Sequence, residues 1–161
     1  MSVNISSKYG TKSFSEVQIG SFNFSGCLDI KKCTTATLKV NGLLKMSDSQ
    51  SRKVTVFGML QMEQSTVEED LSVTGAIQAT DSVVNGLLSI ITSSNQISLK
   101  NLKTKNIIIK KTNINKPLTV FLKGSTIVDG SITLEASSDK VVVSTESLLT
   151  GNVFGGSLQH E

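Results

Sequence analysis

A glycine-centred unit recurs through the first half of the chain and constrains its fold more than any other feature. Residues 22–30 (FNFSGCLDI), 38–46 (LKVNGLLKM), 54–62 (VTVFGMLQM) and 71–79 (LSVTGAIQA) all read apolar-x-apolar-x-Gly-x-apolar-x-apolar. Their glycines, Gly26, Gly42, Gly58 and Gly75, recur at a nearly constant interval, with polar stretches such as SDSQSRK and EQSTVEED between units. Alternation with a period of two predicts strands with one buried face. A glycine inside a strand marks a bend or a close backbone approach. All units run in the same direction, so stacking them in register sets like on like. Leu38, Val54 and Leu71 form one column, Val40, Val56 and Val73 a second, and Leu28, Leu44, Leu60 and Ile77 a third. Such columns predict a parallel β-solenoid whose coils hydrogen-bond about 4.8 Å apart. An antiparallel meander would put Asn-Gly loops between strands. Here Asn41-Gly42 and Asn85-Gly86 lie inside the units.

The pattern loosens after Ala79. Residues 82–90 (SVVNGLLSI) carry the motif at Gly86, which follows Gly75 much sooner than the earlier spacing requires, so that either Gly86 occupies a different side of the coil or a rung is short. Ile97-Ser98-Leu99, Ile107-Ile108-Ile109 and Leu118-Thr119-Val120 predict further strands without the glycine, and the pattern returns at residues 128–134 and 149–153. The expectation is an all-β, single-domain solenoid over residues 17–154 with about eight coils of 16–18 residues, roughly 40 Å long. Residues 1–16 read as a flexible leader and 155–161 as a tail. Composition agrees: 15 Val, 13 Ile and 16 Leu stand against 4 Ala, beside 24 Ser and 16 Thr. β-Branched and hydroxyl residues suit strands and turns rather than long helices, which argues against bundles and doubly wound folds.

Chemistry-bearing residues are sparse. The single histidine, His160, adjoins the C-terminus. Acidic residues are scattered apart from Glu68-Glu69-Asp70 in an inter-strand turn, read as a solvated corner, and Arg52 is the only arginine. No phosphate-cradling glycine loop is present. Thr35-Ala36-Thr37 stands alone and makes no ice-binding array. Cys27 and Cys33 are too few for a disulfide framework and read as free thiols. These observations predict no catalytic residue, cofactor, metal or small-molecule substrate. A net charge of +3 is mild, and neither a transmembrane-length apolar run nor a signal-peptide core occurs. Cytoplasmic residence is the expectation.

One charge feature stands out. Between Asp81 and Asp129 there is no acidic residue, yet Lys100, Lys103, Lys105, Lys110, Lys111, Lys116 and Lys123 all fall there. Nine of the 16 basic residues are left to face all 13 acidic ones. The seven lysines are candidate contacts for an anionic membrane surface or a polyanion, or outward charges that keep strand edges soluble. Only Phe121 is interleaved with them, which gives nucleic-acid bases no stacking platform.

The units LKVNGLLKM, VTVFGMLQM, LSVTGAIQA and VVNGLLSI, with VVVSTESLLTGNVFGG near the end, resemble the bactofilins over residues 17–154. These are bacterial cytoskeletal proteins. The resemblance implies a right-handed, three-sided solenoid that polymerises without nucleotide into a scaffold for membrane or cell-envelope partners, peripheral to the inner membrane. It also makes Val3, Ile5, Tyr9 and Phe14 a weak candidate membrane-targeting set, and Phe154 the terminal aromatic needed for polymerisation. Solenoid ends independently expose unpaired strand edges. Phe22 and Phe24 at the first predicted coil, with Leu149, Val153 and Phe154 at the last, are therefore candidate self-assembly residues, self being the expected partner. The alternative is a non-enzymatic surface or secreted solenoid that binds glycan or protein.

Overall fold

In the computed structural model, which describes residues 2–3, 9–113 and 115–161 (the side chains of Ser2, Val3 and Phe22 excepted), every regular element is a β-strand. The strands form a single-domain parallel solenoid of nine coils. Side one stacks Ser2–Val3, Gln18–Ile19, residues 34–35, 50–51, Thr66–Val67, Val83–Val84, Lys103–Thr104, Ile127–Val128 and Leu148–Leu149. Side two stacks residues 22–25, 38–41, 54–57, 71–74, Leu88–Thr92, Ile107–Lys111, Ile132–Thr133 and Val153–Phe154. Side three runs from Tyr9–Ser15 through residues 27–31, 43–47, 59–63 and 76–80. It continues through Gln96–Lys100, Thr119–Lys123 and Lys140–Val143 to Ser157–His160.

Each corner has its own chemistry. Between sides two and three the chain turns without leaving the strand, so Thr34–Ser47 and Gln50–Glu63 are each 14 residues long. The turn falls on Gly10, Gly26, Gly42, Gly58 and Gly75, at φ between 104° and 135°. These glycines stack directly: a Cβ on Gly42 would lie 2.1 Å from the Gly26 carbonyl oxygen, and one on Gly58 2.1 Å from that of Gly42. At Gly26, Gly42, Gly58 and Gly75 both φ and the approach of the neighbouring backbone exclude a side chain. Between sides three and one, a non-glycine residue takes the left-handed conformation in each of six coils: Glu16, Lys32, Asp48, Gln64, Asp81 and Asn101, at φ 47–56°. Each such turn costs about 1–2 kcal/mol. An in-register backbone bond offsets it, as from Lys32 N–H to Ser47 O at 2.9 Å and from Asn101 N–H to Lys123 O at 3.2 Å.

A buried serine ladder follows this corner. The N–H groups of Cys33, Ser49 and Ser65 donate to the hydroxyls of Ser49, Ser65 and Ser82 at 3.1, 3.1 and 3.2 Å. Those hydroxyls donate in turn to Ser47 O, Glu63 O and Thr80 O. Backbone donors that the corner would strand in a dry interior are thereby satisfied. Cys33 occupies the ladder's serine position and turns its thiol to Phe14 O and Lys31 O. Inside, the columns predicted from the repeat close the core: Leu38, Val54, Leu71, Leu88 and Ile107 are all 0% exposed.

Several expectations need correction. The register step is constant from Ser2 through Gln18, Thr34 and Gln50 to Thr66, and one position longer from there to Val83. It lengthens again to Lys103, is longest from Lys103 to Ile127, and stays long to Leu148, so the later coils exceed the predicted length. The additional residues sit at corners, chiefly 112–118, where extra length leaves the ladder intact. Gly86 is no correction, since it takes a different side of the coil from Gly75, one of the two readings its early spacing allows. Leu88 pairs with Leu71, which places Gly86 over Glu69 at the corner between sides one and two. Residues 9–15, expected in a leader, pair with residues 25–31 in the first coil. Ser157–His160, expected in a tail, pairs with Lys140–Val143.

Gly58→Ala combines a disfavoured φ with a backbone clash. It is expected to cost about 3 kcal/mol or more and to lower Tm by about 6–12 °C. Thermal circular dichroism checks this against Gly20→Ala, where an added Cβ meets nothing within 4 Å.

Candidate functional site

The last coil pairs with the eighth, and no strand covers its far edge among the described residues. Its inward positions extend the core columns by one step. Leu149 follows Val128, Val153 follows Ile132 and Leu158 follows Val141. Those three predecessors are each 0% exposed, whereas Leu149 and Val153 are half-buried and Leu158 is 43% exposed. Among the described residues the last coil thus presents an open cross-section of core. Phe154 and Leu148, each 54% exposed, follow the outward-facing Thr133 and Ile127 and form an apolar rim. Leu148, Phe154 and Leu158 account for half of the six exposed large hydrophobics among the described residues.

Of the candidate assembly residues, Leu149, Val153 and Phe154 come together in this coil. Phe24 is a correction: it lies in the second coil at 2% exposure, because a further coil, whose residues 9–15 pair with 25–31, precedes the position that the sequence treats as an end. The backbone of Phe22 pairs with Leu38 in that same coil, and its side chain lies outside the described residues. Leu148 and Leu158 are missing from the candidate set. The alternation of Leu158 and His160 within SLQH is the signal that marks this strand. At the other end, the first coil places Lys12 in the column of Leu28 and Phe14 in that of Ile30. Lys12 and Tyr9 are exposed and Phe14 is half-buried. Ile5 lies outside the described residues.

The lysine segment winds around the rod rather than forming one face. Lys103 is on side one and Lys110 on side two. Lys100 and Lys123 are register neighbours on side three, while Lys105 and Lys116 sit at corners. These six are exposed. Lys111 is a correction, since it points inward and binds Asp139 at 2.6 Å, with side chains 3% and 0% exposed. Its Nζ also donates to Lys116 O at 2.8 Å, and Asp139 Oδ1 accepts the Leu118 N–H at 2.9 Å. The Ala136 N–H donates to Asp139 Oδ2 at 3.1 Å. The pair therefore ties the longest corner insertion to the eighth coil, and Lys111 has no free charge to offer a membrane.

The acidic trio is likewise engaged. Glu68 accepts from Gln50, Glu69 from Arg52, and Asp70 Oδ1 from the Leu87 N–H at 2.8 Å. Each contact joins neighbouring coils. Cys27 is exposed and Cys33 buried, both as free thiols. His160 follows Val143 on the last strand. No group of three metal-ligating side chains occurs among the described residues, and no described helix is long and apolar enough to cross a membrane.

Comparison with protein-family models, curated proteins and solved structures finds no match to this chain.

Removing one partner from a buried ion pair leaves an uncompensated charge, at about 3–5 kcal/mol. Lys111→Met and Asp139→Asn are each expected to lose stability on that scale. The double variant, in which Asn can still accept from Leu118, is expected to lose much less than the sum. Urea denaturation of the four-protein cycle measures the coupling.

Proposed function

We propose that this chain is a structural building block that stacks end to end through its C-terminal coil into nucleotide-independent filaments. It is a bactofilin-like scaffold for membrane or cell-envelope partners, carried on the cytoplasmic side. One observation carries the reading. Leu149, Val153 and Leu158 form an open core cross-section, rimmed by Leu148 and Phe154 and edged by strands with no further neighbour among the described residues. A second copy placed there completes the ladder on three sides and buries apolar surface worth about 25 cal/mol per Å². Burial and strand pairing drive such assembly, so no bound nucleotide is required. The repeat units that resemble bactofilins support the same reading. The exposed lysines around the sixth and seventh coils supply a circumferential belt for anionic headgroups.

Negative-stain microscopy and sedimentation of the purified protein are expected to reveal filaments. Leu158→Glu buries a charge in the contact, and Phe154→Arg disrupts its rim. Both variants are expected to sediment as monomers with unchanged far-UV circular dichroism. A monomeric parent protein across the micromolar to high-micromolar range overturns the scaffold reading.

A further inference from the structure

We infer that Asn85 is a site of spontaneous covalent modification, where the side-chain amide becomes a carboxylate through a cyclic imide formed with the next peptide group. The chain carries two Asn-Gly pairs, Asn41-Gly42 and Asn85-Gly86. They are chemically alike in sequence, and the fold treats them differently.

The reaction requires the backbone nitrogen of the glycine to reach Cγ of the asparagine. A C–N bond closes a five-membered ring, and the side-chain nitrogen leaves as ammonia with the proton that the backbone nitrogen gives up. Water then opens the imide at either carbonyl, its hydroxyl going to carbon and its proton back to nitrogen. One opening yields aspartate and the other isoaspartate, whose chain runs through the side-chain carbon. The sum is one water consumed and one ammonia released, which is why asparagine is a thermolabile residue. A glycine follower favours the attack because no Cβ crowds the nitrogen. Asn101 and Asn106 have the bulky followers Leu102 and Ile107, and their Oδ1 atoms accept the Ser125 and Ser131 N–H groups.

Asn41 and Gly42 lie in the middle of Thr34–Ser47, paired with Ser25 and Gly26 in one neighbouring coil and with Phe57 and Gly58 in the other. Ring closure there must first lift the strand out of two ladders, an opening of the kind that core strands resist most. Asn85 and Gly86 instead occupy a corner, after Val83–Val84 and before Leu88–Thr92. Asn85 is exposed, and its own N–H donates to Val67 O at 2.9 Å. The Leu87 N–H donates to Asp70 Oδ1 at 2.8 Å. Between these two anchors the Gly86 N–H meets no acceptor among the described residues, so its nitrogen can turn toward Cγ without breaking a bond. The product alters a charged column. One position beyond the stacked Val67, Val84 and Thr104 stand Glu68, Asn85 and Lys105, all exposed. A carboxylate at position 85 therefore gives Lys105 an acidic neighbour one coil away, about 4.8 Å along the axis, and lowers the positive charge of the lysine segment. Isoaspartate also adds a backbone atom at a corner, where this rod takes up its extra length.

Site-resolved peptide mass spectrometry tests this on the purified full chain, incubated at mildly alkaline pH with and without unfolding urea until the unfolded sample has converted both sites. The folded chain is expected to convert Asn85 at least about tenfold faster than Asn41, since only Asn41 must wait for its ladders to open. Both aspartate and isoaspartate are expected at position 85. In urea the two sites are expected to react at comparable rates, which assigns the difference to the fold. Asn85→Gln, whose longer side chain closes the ring poorly, is expected to abolish the acidic form that isoelectric focusing separates from the aged parent. Equal conversion of Asn41 and Asn85 in the folded chain overturns the inference. So does an Asn85 that keeps its amide in the folded chain over the time in which urea converts it.

Discussion

Backbone stacked on backbone in parallel register is the constraint on which the rest of this molecule depends. Once each coil must hydrogen-bond to the next along three sides, residues one coil apart occupy the same environment. A conformational requirement at one position is then repeated along the axis. The glycine corner expresses this most severely: each carbonyl from Gly10 to Gly58 lies about 2 Å from where the next glycine's Cβ would be, so none of Gly26, Gly42, Gly58 and Gly75 can gain a side chain. The serine ladder expresses it with hydrogen bonds and the Leu/Val columns with volume. Local propensity, polar satisfaction and packing thus agree at each level.

The two halves meet that constraint differently. The first coils keep a fixed length and turn on repeated glycines and left-handed residues. Later coils keep the ladder but change what turns it. Asn101 Oδ1 accepts the Ser125 N–H and Asn106 Oδ1 the Ser131 N–H, both at 2.8 Å, so side-chain amides cap corners of unequal length. Where the insertion is longest, a desolvated Lys111–Asp139 pair holds it. The desolvation cost of such a pair is met only because the surrounding N–H and C=O groups complete its hydrogen bonds.

How much of this the sequence revealed follows from the same division. The parallel stack, its columns and its glycine positions were legible because alternation and spacing repeat together in residues 22–79. The first coil was hidden because Lys12 occupies an inward position where every repeat had an apolar residue. The early spacing of Gly86 marked a change of phase, and only the register shows which corner it occupies. Ser49, Ser65 and Ser82 share the glycine period, but serine is so common in this chain that the coincidence does not stand out. Lys111 was indistinguishable from its exposed neighbours until Asp139, 28 positions away, closed on it. At the candidate assembly end, Leu149, Val153 and Phe154 were legible as the last apolar residues. Leu158 was not, since the alternation that marks its strand is confined to the 4 residues SLQH after a Gly-Gly pair.

Gln18, Thr34, Gln50 and Thr66 follow one another at a single constant register step. Coils two to four are therefore interchangeable modules whose contacts are only with their immediate neighbours. Excising residues 33–48 would join Lys32 to Ser49 at an equivalent point of the ladder and bring Gly58 over Gly26. The shortened rod would keep both of its ends. Length in this architecture is a quantity that varies in single steps of about 4.8 Å, separately from whatever the ends recognise.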